Sequence, residues 1–372
     1  NVVVIILESF NREHSGILNP HLDNGNYMGY TPFLDSLISV SYAFPNAYAN
    51  GRKSIDAMPS VLASLPALVQ PFVVSEYASN RINGLGTLLK PAGYHTSFFH
   101  GAPNGSMGFD AFARLSGFDN YYGRNEYGND ADFDGIWGIW DEPFFQFFAR
   151  KLDGFPEPFL SAMFSVSSHH PFKVPARYEG VFPQGTLPIH QCVGYTDMAL
   201  RKFFERASAS EWYERTIFVI TADHSVESHF AEYKTNVNGF AVPLLFYAPG
   251  LHLQGMDNSL AQQTDILPTI MGLVEYPKGF VSFGNNLLNE GSESNRFVIN
   301  YTNETFQFMM NEWVLYYNGE ELVAFYNYVD DPMLKNNLLG SHPTPIEEYH
   351  FMKAVIQQYN NRMIENRLTY ED

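Results

Sequence analysis

Near the start of the chain, VVVIIL (2–7) is uniformly apolar, with none of the alternation that a half-exposed strand would show. Short, largely β-branched and continuous, it predicts a strand covered on both faces, as in a parallel sheet. The run stops on a carboxylate, Glu8, instead of a turn residue. TIFVITADHS (216–225) does the same and stops on Asp223 and His224. GYHTSFFH stops on His100, and PFLSAMFSVSSHH (158–170) on Ser168, His169 and His170. VPLLFYAPG (242–250) reads as one more short strand.

Helical patterns fall between these strands. TPFLDSLI (31–38) has Thr31 as N-cap and Pro32 at the first helical position. SIDAMPSVLASLPAL (54–68) starts as a helix that Pro59 should kink or restart. DEPFFQFFARKL (141–152), with Asp141 as cap, TDMALRKFFERAS (196–208) and TDILPTIMGLV (264–274), interrupted by Pro268, complete the set. The alternation predicts an α/β fold with a largely parallel central sheet flanked by helices. From about residue 295 the texture changes. RFVINY, TFQFMM and EWVLYYNGEELVAFYNY read as antiparallel strands with a hairpin at NGEE, followed by a terminal helix. The expected division is a catalytic α/β domain over 1–294 and a smaller antiparallel subdomain with its helix over 295–372. Residues 102–135, rich in Gly, Asn, Tyr and Asp, read as a long loop over a site.

Composition narrows the classes. The net charge of −18 argues against nucleic acid, whose phosphates need clustered Lys and Arg. A single cysteine, Cys192, excludes an internal disulfide and a CxxC-type metal site. No run approaches the length of a membrane-spanning helix, and there is no signal peptide. The first residue is Asn and the first strand follows at once, so an upstream part is expected to be missing.

In an open α/β sheet ligands sit beyond the carboxyl ends of the strands. Glu8, His100, the Ser168–His170 run and Asp223–His224 are all placed there. Gathered carboxylates and imidazoles suit a divalent cation: oxygen ligands favour Mg or Mn, and imidazole admits Zn. A metal also accounts for acids ending apolar strands, because an unpaired buried carboxylate is costly. Ser54 sits in NGRKSID, where Gly51 permits close approach and Arg52 and Lys53 bring positive charge. Two readings of Ser54 stand side by side: a metal-activated nucleophile beside a helix N-terminus, or an ordinary N-cap.

The ordered set VVVIILESF, TPFLDSL, NGRKSIDAMPSVLASLP, GYHTSFFHG, FSVSSHHPF, FVITADHS, VPLLFYAPG and TDILPTI resembles the alkaline phosphatase/sulfatase superfamily. More narrowly, it is similar to the lipoteichoic acid synthase and phosphoglycerol transferase branch. The resemblance spans nearly the whole chain. It implies one divalent metal, Mn by preference, held by Glu8, Ser54, Asp223 and His224. It further implies Ser54 as the nucleophile, where lipoteichoic acid synthases carry Thr, with His100 and His169 on the substrate side. Arg52, Lys53 and Asn104 are the remaining candidates for substrate contact. The family's Asp and Trp-x-Arg, which grip glycerol phosphate, are not preserved: Ala102, Met107 and Phe109 stand there. His229 reads as a surface or substrate-contact residue in preference to a second metal ligand.

What the resemblance implies for function is transfer of a phosphoglycerol-type head group from a phospholipid, through a phospho-serine, to a cell-envelope glycan or polymer. The place of action would be outside the cytoplasmic membrane (periplasm or cell surface), at a membrane surface reached through a missing N-terminal anchor. A phosphoethanolamine transferase or a phosphodiesterase/sulfatase-type hydrolase is the alternative. A sulfatase proper needs a C/S-x-P-x-R context that neither Cys192 nor Ser54 has. A non-catalytic domain binding an anionic glycan or lipid head group is the reading from another class. Trp137 and Trp140, in WGIW, are candidates for a sugar- or lipid-facing wall.

Overall fold

The computed structural model describes residues 1–289, 291 and 295–370. Eight strands form the main sheet: β1 (Val2–Leu7), β2 (Tyr42–Ala43), β3 (His95–His100), β4 (Asn120–Tyr122), β5 (Phe159–Phe164), β6 (Ile217–Ala222), β7 (Leu244–Tyr247) and β8 (Gly255–Met256). Their spatial order is β4-β3-β5-β1-β6-β7-β2-β8. β7 runs against both of its neighbours, and every other pairing is parallel.

β1 lies in the middle, and its six side chains are all 0% exposed. Val2, Val4 and Ile6 pack on one face with Phe98, Leu160 and Phe246. Val3, Ile5 and Leu7 pack on the other with Phe99, Phe145 and Phe218. Burial on both faces is why the apolar run shows no alternation. At about 1.5–3 kcal/mol per fully buried aliphatic side chain, this strand is a main anchor of the fold.

A second sheet of β9 (Phe297–Thr302), β10 (Thr305–Met310), β11 (Trp313–Tyr317) and β12 (Leu322–Asn327) is antiparallel in sequential order. One face, with Ile299, Phe308 and Phe325, joins the core that holds Val2 and Val4, as do Met352 and Met363 of the terminal helix Ile346–Ile364. The other face, with Val298, Met309 and Val314, packs on Tyr233 and Phe240.

Four local expectations give way. The helix Ser54–Ala63 runs through Pro59 without restarting. Proline forfeits a bond to the Ile55 carbonyl there, but Ala57, Met58, Val61 and Leu62, all 0% exposed, hold the helix in place. Pro268 interrupts nothing, since it lies in the first turn of the helix Ile266–Leu273, where amide hydrogens have no helical partner. Thr31 occupies the N-cap position of the helix Pro32–Ile38 but makes no side-chain cap. Its hydroxyl donates to His14 O, and the free amides of Phe33 and Leu34 donate to Asp197 from a distant helix, each at 2.9 Å. Residues 102–135 are not one long loop: they contain a helix, Phe109–Leu115, then β4, then the short helix Arg124–Tyr127.

Candidate active site and metal centre

β1 and β6 are adjacent and parallel, with Leu7 opposite Ala222, so the residues after them, Glu8 and Asp223, emerge side by side. Both are buried, at 3% and 1% exposure. Ser9, at φ 58°, turns the chain so that its amide donates to Asp223 Oδ1 (2.7 Å) and its hydroxyl to Glu8 Oε1 (2.6 Å). The His224 amide also donates to Asp223 Oδ1, at 2.7 Å.

Ser54 is the first residue of its helix, and its Oγ donates to Glu8 Oε2 at 3.2 Å and lies 3.5 Å from His224 Nε2. The plain N-cap reading therefore fails: Lys53 is the N-cap, and the Ser54 hydroxyl leaves its own helix for the acid cluster. Asp56 does the capping, accepting the amides of Arg52 (3.2 Å) and Lys53 (3.1 Å). Gly51 is required by that arrangement, since a Cβ there would lie 2.3 Å from the Asp56 side chain. The ten-residue helix thus begins at the cluster with its positive end toward it.

Several features fit a cation. One ligand atom each from Glu8, Asp223 and His224 lie within 4.8 Å of one another. His224 Nδ1–H donates to Ser225 O at 3.0 Å, which turns Nε2 toward the acids. That nitrogen is 3.1 Å from Asp223 Oδ2 and 3.8 Å from Glu8 Oε1. Asp223 Oδ2 is buried without a hydrogen-bond partner. Burial first, and then the Asp223 charge, push the Glu8 carboxyl well above its ordinary pKa. Burial alone would lower the pKa of His224, but the charges of Asp223 and Glu8 outweigh it and raise it. Two desolvated acids facing each other are unfavourable by themselves and suit a divalent ion of the oxygen- and imidazole-binding kind.

The other candidates are spread more widely. His100 is 1% exposed and packs against Phe109 and Phe164, with ring centroids 4.8 and 5.5 Å away. Burial drives its pKa down to about 3 and leaves Nδ1 without a partner. Among the described residues it makes no hydrogen bond to the four-residue cluster. His169 is half-buried and packs against Trp137, with ring centroids 3.8 Å apart and the planes tilted by 43°. Arg52 lies over the Phe240 ring at 4.5 Å and shares a cavity of about 550 Å³ with His224. Lys53 is exposed beside it. Asn104 is not gathered in: it is exposed and hydrogen-bonds Glu126 at 3.0 and 3.2 Å. His229 is also exposed, and its amide donates to Glu13.

The framework around the cluster was not legible beforehand. Gln263 donates to the carbonyls of Ala222 (2.7 Å) and Asp223 (2.8 Å) and accepts from the Asn50 amide (3.0 Å). The Asn50 side chain donates to Gln262 and to Ile299 O, and accepts from the Thr264 amide. This buried bracket fixes the Ser54 segment relative to the end of β6 and ties in the second sheet. Its only trace in the sequence is the polar QQTD run before an apolar helix. Ser165 Oγ accepts the Glu8 amide at 2.8 Å, and Ser168 Oγ donates to the Glu8 carbonyl.

Comparison with known proteins identifies the fold and the family. The lipoteichoic acid synthase-like YvgJ of Bacillus subtilis is 27% identical over 311 residues, 77% of this chain and 49% of its own length. A lipoteichoic acid synthase of Staphylococcus aureus is 25% identical over 380 residues, 94% of this chain and 54% of its own. The chain thus spans about half the length of these relatives. Among solved structures, an alkaline phosphatase superfamily protein from Vibrio parahaemolyticus superposes with a TM-score of 0.86 at 23% identity, over 100% of this chain and 88% of the other. The lipoteichoic acid synthase LtaP from Listeria monocytogenes gives 0.81 at 20% identity, over 100% of this chain and 93% of that one. The family model described as Sulfatase matches residues 1–276. With nearly three quarters of its length in that match, the chain belongs to the sulfatase family.

Proposed function

We propose that this chain is the catalytic domain of a metal-dependent phosphotransferase that moves a phosphoglycerol-type group from a phospholipid to a hydroxyl of a cell-envelope glycan or polymer. The observation that carries the reading is the Ser54 hydroxyl, placed at a helix N-terminus and hydrogen-bonded to Glu8 within reach of His224. A divalent cation held by Glu8, Ser54, Asp223 and His224, Mn by preference, would supply Lewis-acid stabilisation and lower the pKa of that hydroxyl.

Ser54 gives up its hydroxyl proton as its Oγ attacks the phosphodiester phosphorus; a new P–O bond forms, and the bond to the lipid alcohol breaks. The departing alkoxide takes a proton as it leaves. An acceptor hydroxyl then attacks the phospho-serine, gives up its proton and restores Ser54. Arg52 and Lys53 lie where they can face the non-bridging oxygens. His169, half-buried and so open to solvent, is assigned the contact with the leaving group. His100, held neutral by burial, is suited to donating a hydrogen bond.

The substrates follow from the names of the relatives, lipoteichoic acid synthases. By the same reasoning the domain acts outside the cytoplasmic membrane. Among the described residues no helix is long and apolar enough to cross a membrane. Phe109 is 0% exposed and stands where the resemblance places a head-group-gripping Arg, so the grip here is built from other residues.

The test is turnover of a chromogenic phosphodiester with added Mn. Ser54→Ala is expected to lose at least about 10³-fold in kcat/KM with an unchanged melting temperature. Equal rates for the two proteins would remove Ser54 from the mechanism.

A further inference from the structure

The cavity that holds Arg52 and His224 does not end at the acid cluster. Lys234 and Thr235 line it as well, and both residues also line a second cavity of about 430 Å³ against the four-stranded sheet. The second cavity has a different chemistry. Asn236, Asn303 and Thr305 offer neutral hydrogen-bonding groups, and Tyr316 and Tyr326 offer aromatic surface. Val323, Met333 and Leu334 add an apolar floor. Among the described residues no carboxylate lines it, in a chain of net charge −18, and Lys234 is the one cation that does.

The walls are firmly held. Asn303 and Glu304, at φ 49° and 60°, form the two-residue turn between β9 and β10, where Thr302 pairs with Thr305. The Tyr316 hydroxyl donates to Gln307 Oε1 at 2.9 Å, and the Tyr316 and Tyr326 rings meet edge to face at 6.0 Å. Amides beside aromatic and aliphatic surface match a ligand that is rich in hydroxyls, carries C–H faces and has little charge. A polyanion would need more than one ammonium group.

We propose that this cavity is a subsite for a neutral sugar residue of the acceptor. The ridge at Lys234 faces the anionic link between that sugar and the group at the metal centre. Sugar C–H faces lie on Tyr326 and the aliphatic floor, while Asn236 and Asn303 take paired bonds from neighbouring hydroxyls. The proposal rests on the transferase reading for its meaning, but its binding chemistry is independent of turnover.

The experiment measures binding of maltotriose, cellotriose and glycerol 1-phosphate to the full chain by saturation-transfer NMR and calorimetry, without substrate. At least one neutral trisaccharide is expected to bind. Tyr326→Ala and Asn236→Ala should each weaken it about tenfold, and Tyr326→Phe should restore it. Ser54→Ala should bind it as wild type does. Melting curves establish that each variant is folded. In acceptor-dependent transfer, Tyr326→Ala should raise the acceptor KM and leave hydrolysis of the chromogenic diester unchanged. Failure of both trisaccharides to bind, or binding indifferent to both alanine variants, overturns the proposal. So does weakening of glycerol 1-phosphate alone, which would make the cavity a polyanion site. Were Ser54→Ala to keep full turnover, the transferase reading would fall while a positive sugar result stood.

Discussion

Two sets of buried carboxylates in this molecule are handled in opposite ways. Asp141, Asp197 and Asp265 are each 1–2% exposed and serve as caps for distant backbone. Asp141 accepts the amides of Val166 and Ser167 and the Thr196 hydroxyl, Asp197 those of Phe33 and Leu34, and Asp265 those of Gln262 and Asn285. Both oxygens of each have a donor. Burial still raises their pKa, to about 6 for Asp141 and about 7 for Asp197 and Asp265, but none faces another acid at hydrogen-bonding range. At the rim above β1 and β6, Glu8 and Asp223 are equally buried yet face each other, and Asp223 Oδ2 has no donor. Burial alone therefore does not mark a site. Burial that leaves like charges together and an oxygen unsatisfied does.

The sharpest break between the two classes is metal dependence. Wild-type protein with Mn at about 100 times its dissociation constant should gain about 2.7 kcal/mol of stability. Glu8→Gln should gain almost nothing, and Asp197→Ala should gain as much as wild type. Urea denaturation with and without Mn, after chelation, measures all three. An equal gain for Glu8→Gln would place the ion elsewhere.

Next comes the reciprocal change. Asp197→Ala strips the side-chain cap from the helix Pro32–Ile38 and should cost about 1–2 kcal/mol in metal-free protein, with kcat little altered. A large fall in kcat without loss of stability would erase the distinction drawn here.

His100 supplies a pH-dependent difference of similar size. Its folded pKa is about 3, against about 6.5 in the unfolded chain, and the cause is burial. Between those values the unfolded state binds the proton first, so stability falls as pH falls below 6.5. Its contribution should shrink by about 1.4 kcal/mol between pH 7.5 and 5.5. This is read as the wild-type change minus the change in His100→Gln. No difference between the two pH profiles would mean that His100 is solvated.

The smallest effect has the most telling sign. In metal-free protein Glu8→Gln removes one of two facing charges and should raise stability by about 1 kcal/mol, whereas loss of a satisfied cap lowers it. A metal-free Glu8→Gln protein less stable than wild type would show that the acids are already compensated.

How far the chain could be read follows the same division. The central strands were legible because β1 and β6 are buried on both faces and stop abruptly on acids, and this placed Glu8, Asp223 and His224 at one rim. The antiparallel second sheet and the NGEE hairpin were legible from local pattern. Ser54 was not decidable, because serine before a helix suits a cap as well as a nucleophile. The approach of Glu8, 46 residues away in sequence, removes the plain cap reading. Thr31 and Asp141 were read as caps of their own helices, but caps acting across the fold leave no local signature. The bracket from Asn50 to Gln263 spans 213 residues and is invisible for that reason. Pro59 and Pro268 misled because a proline's cost depends on its turn and on the packing around it.

The most direct test of the central claim is anomalous diffraction from crystals of the wild-type chain soaked in Mn. One strong peak should lie about 2.0–2.2 Å from oxygen or nitrogen atoms of Glu8, Ser54, Asp223 and His224, and it should vanish in Glu8→Gln. A fully occupied manganese bound without Ser54 or without the two acids would contradict the account.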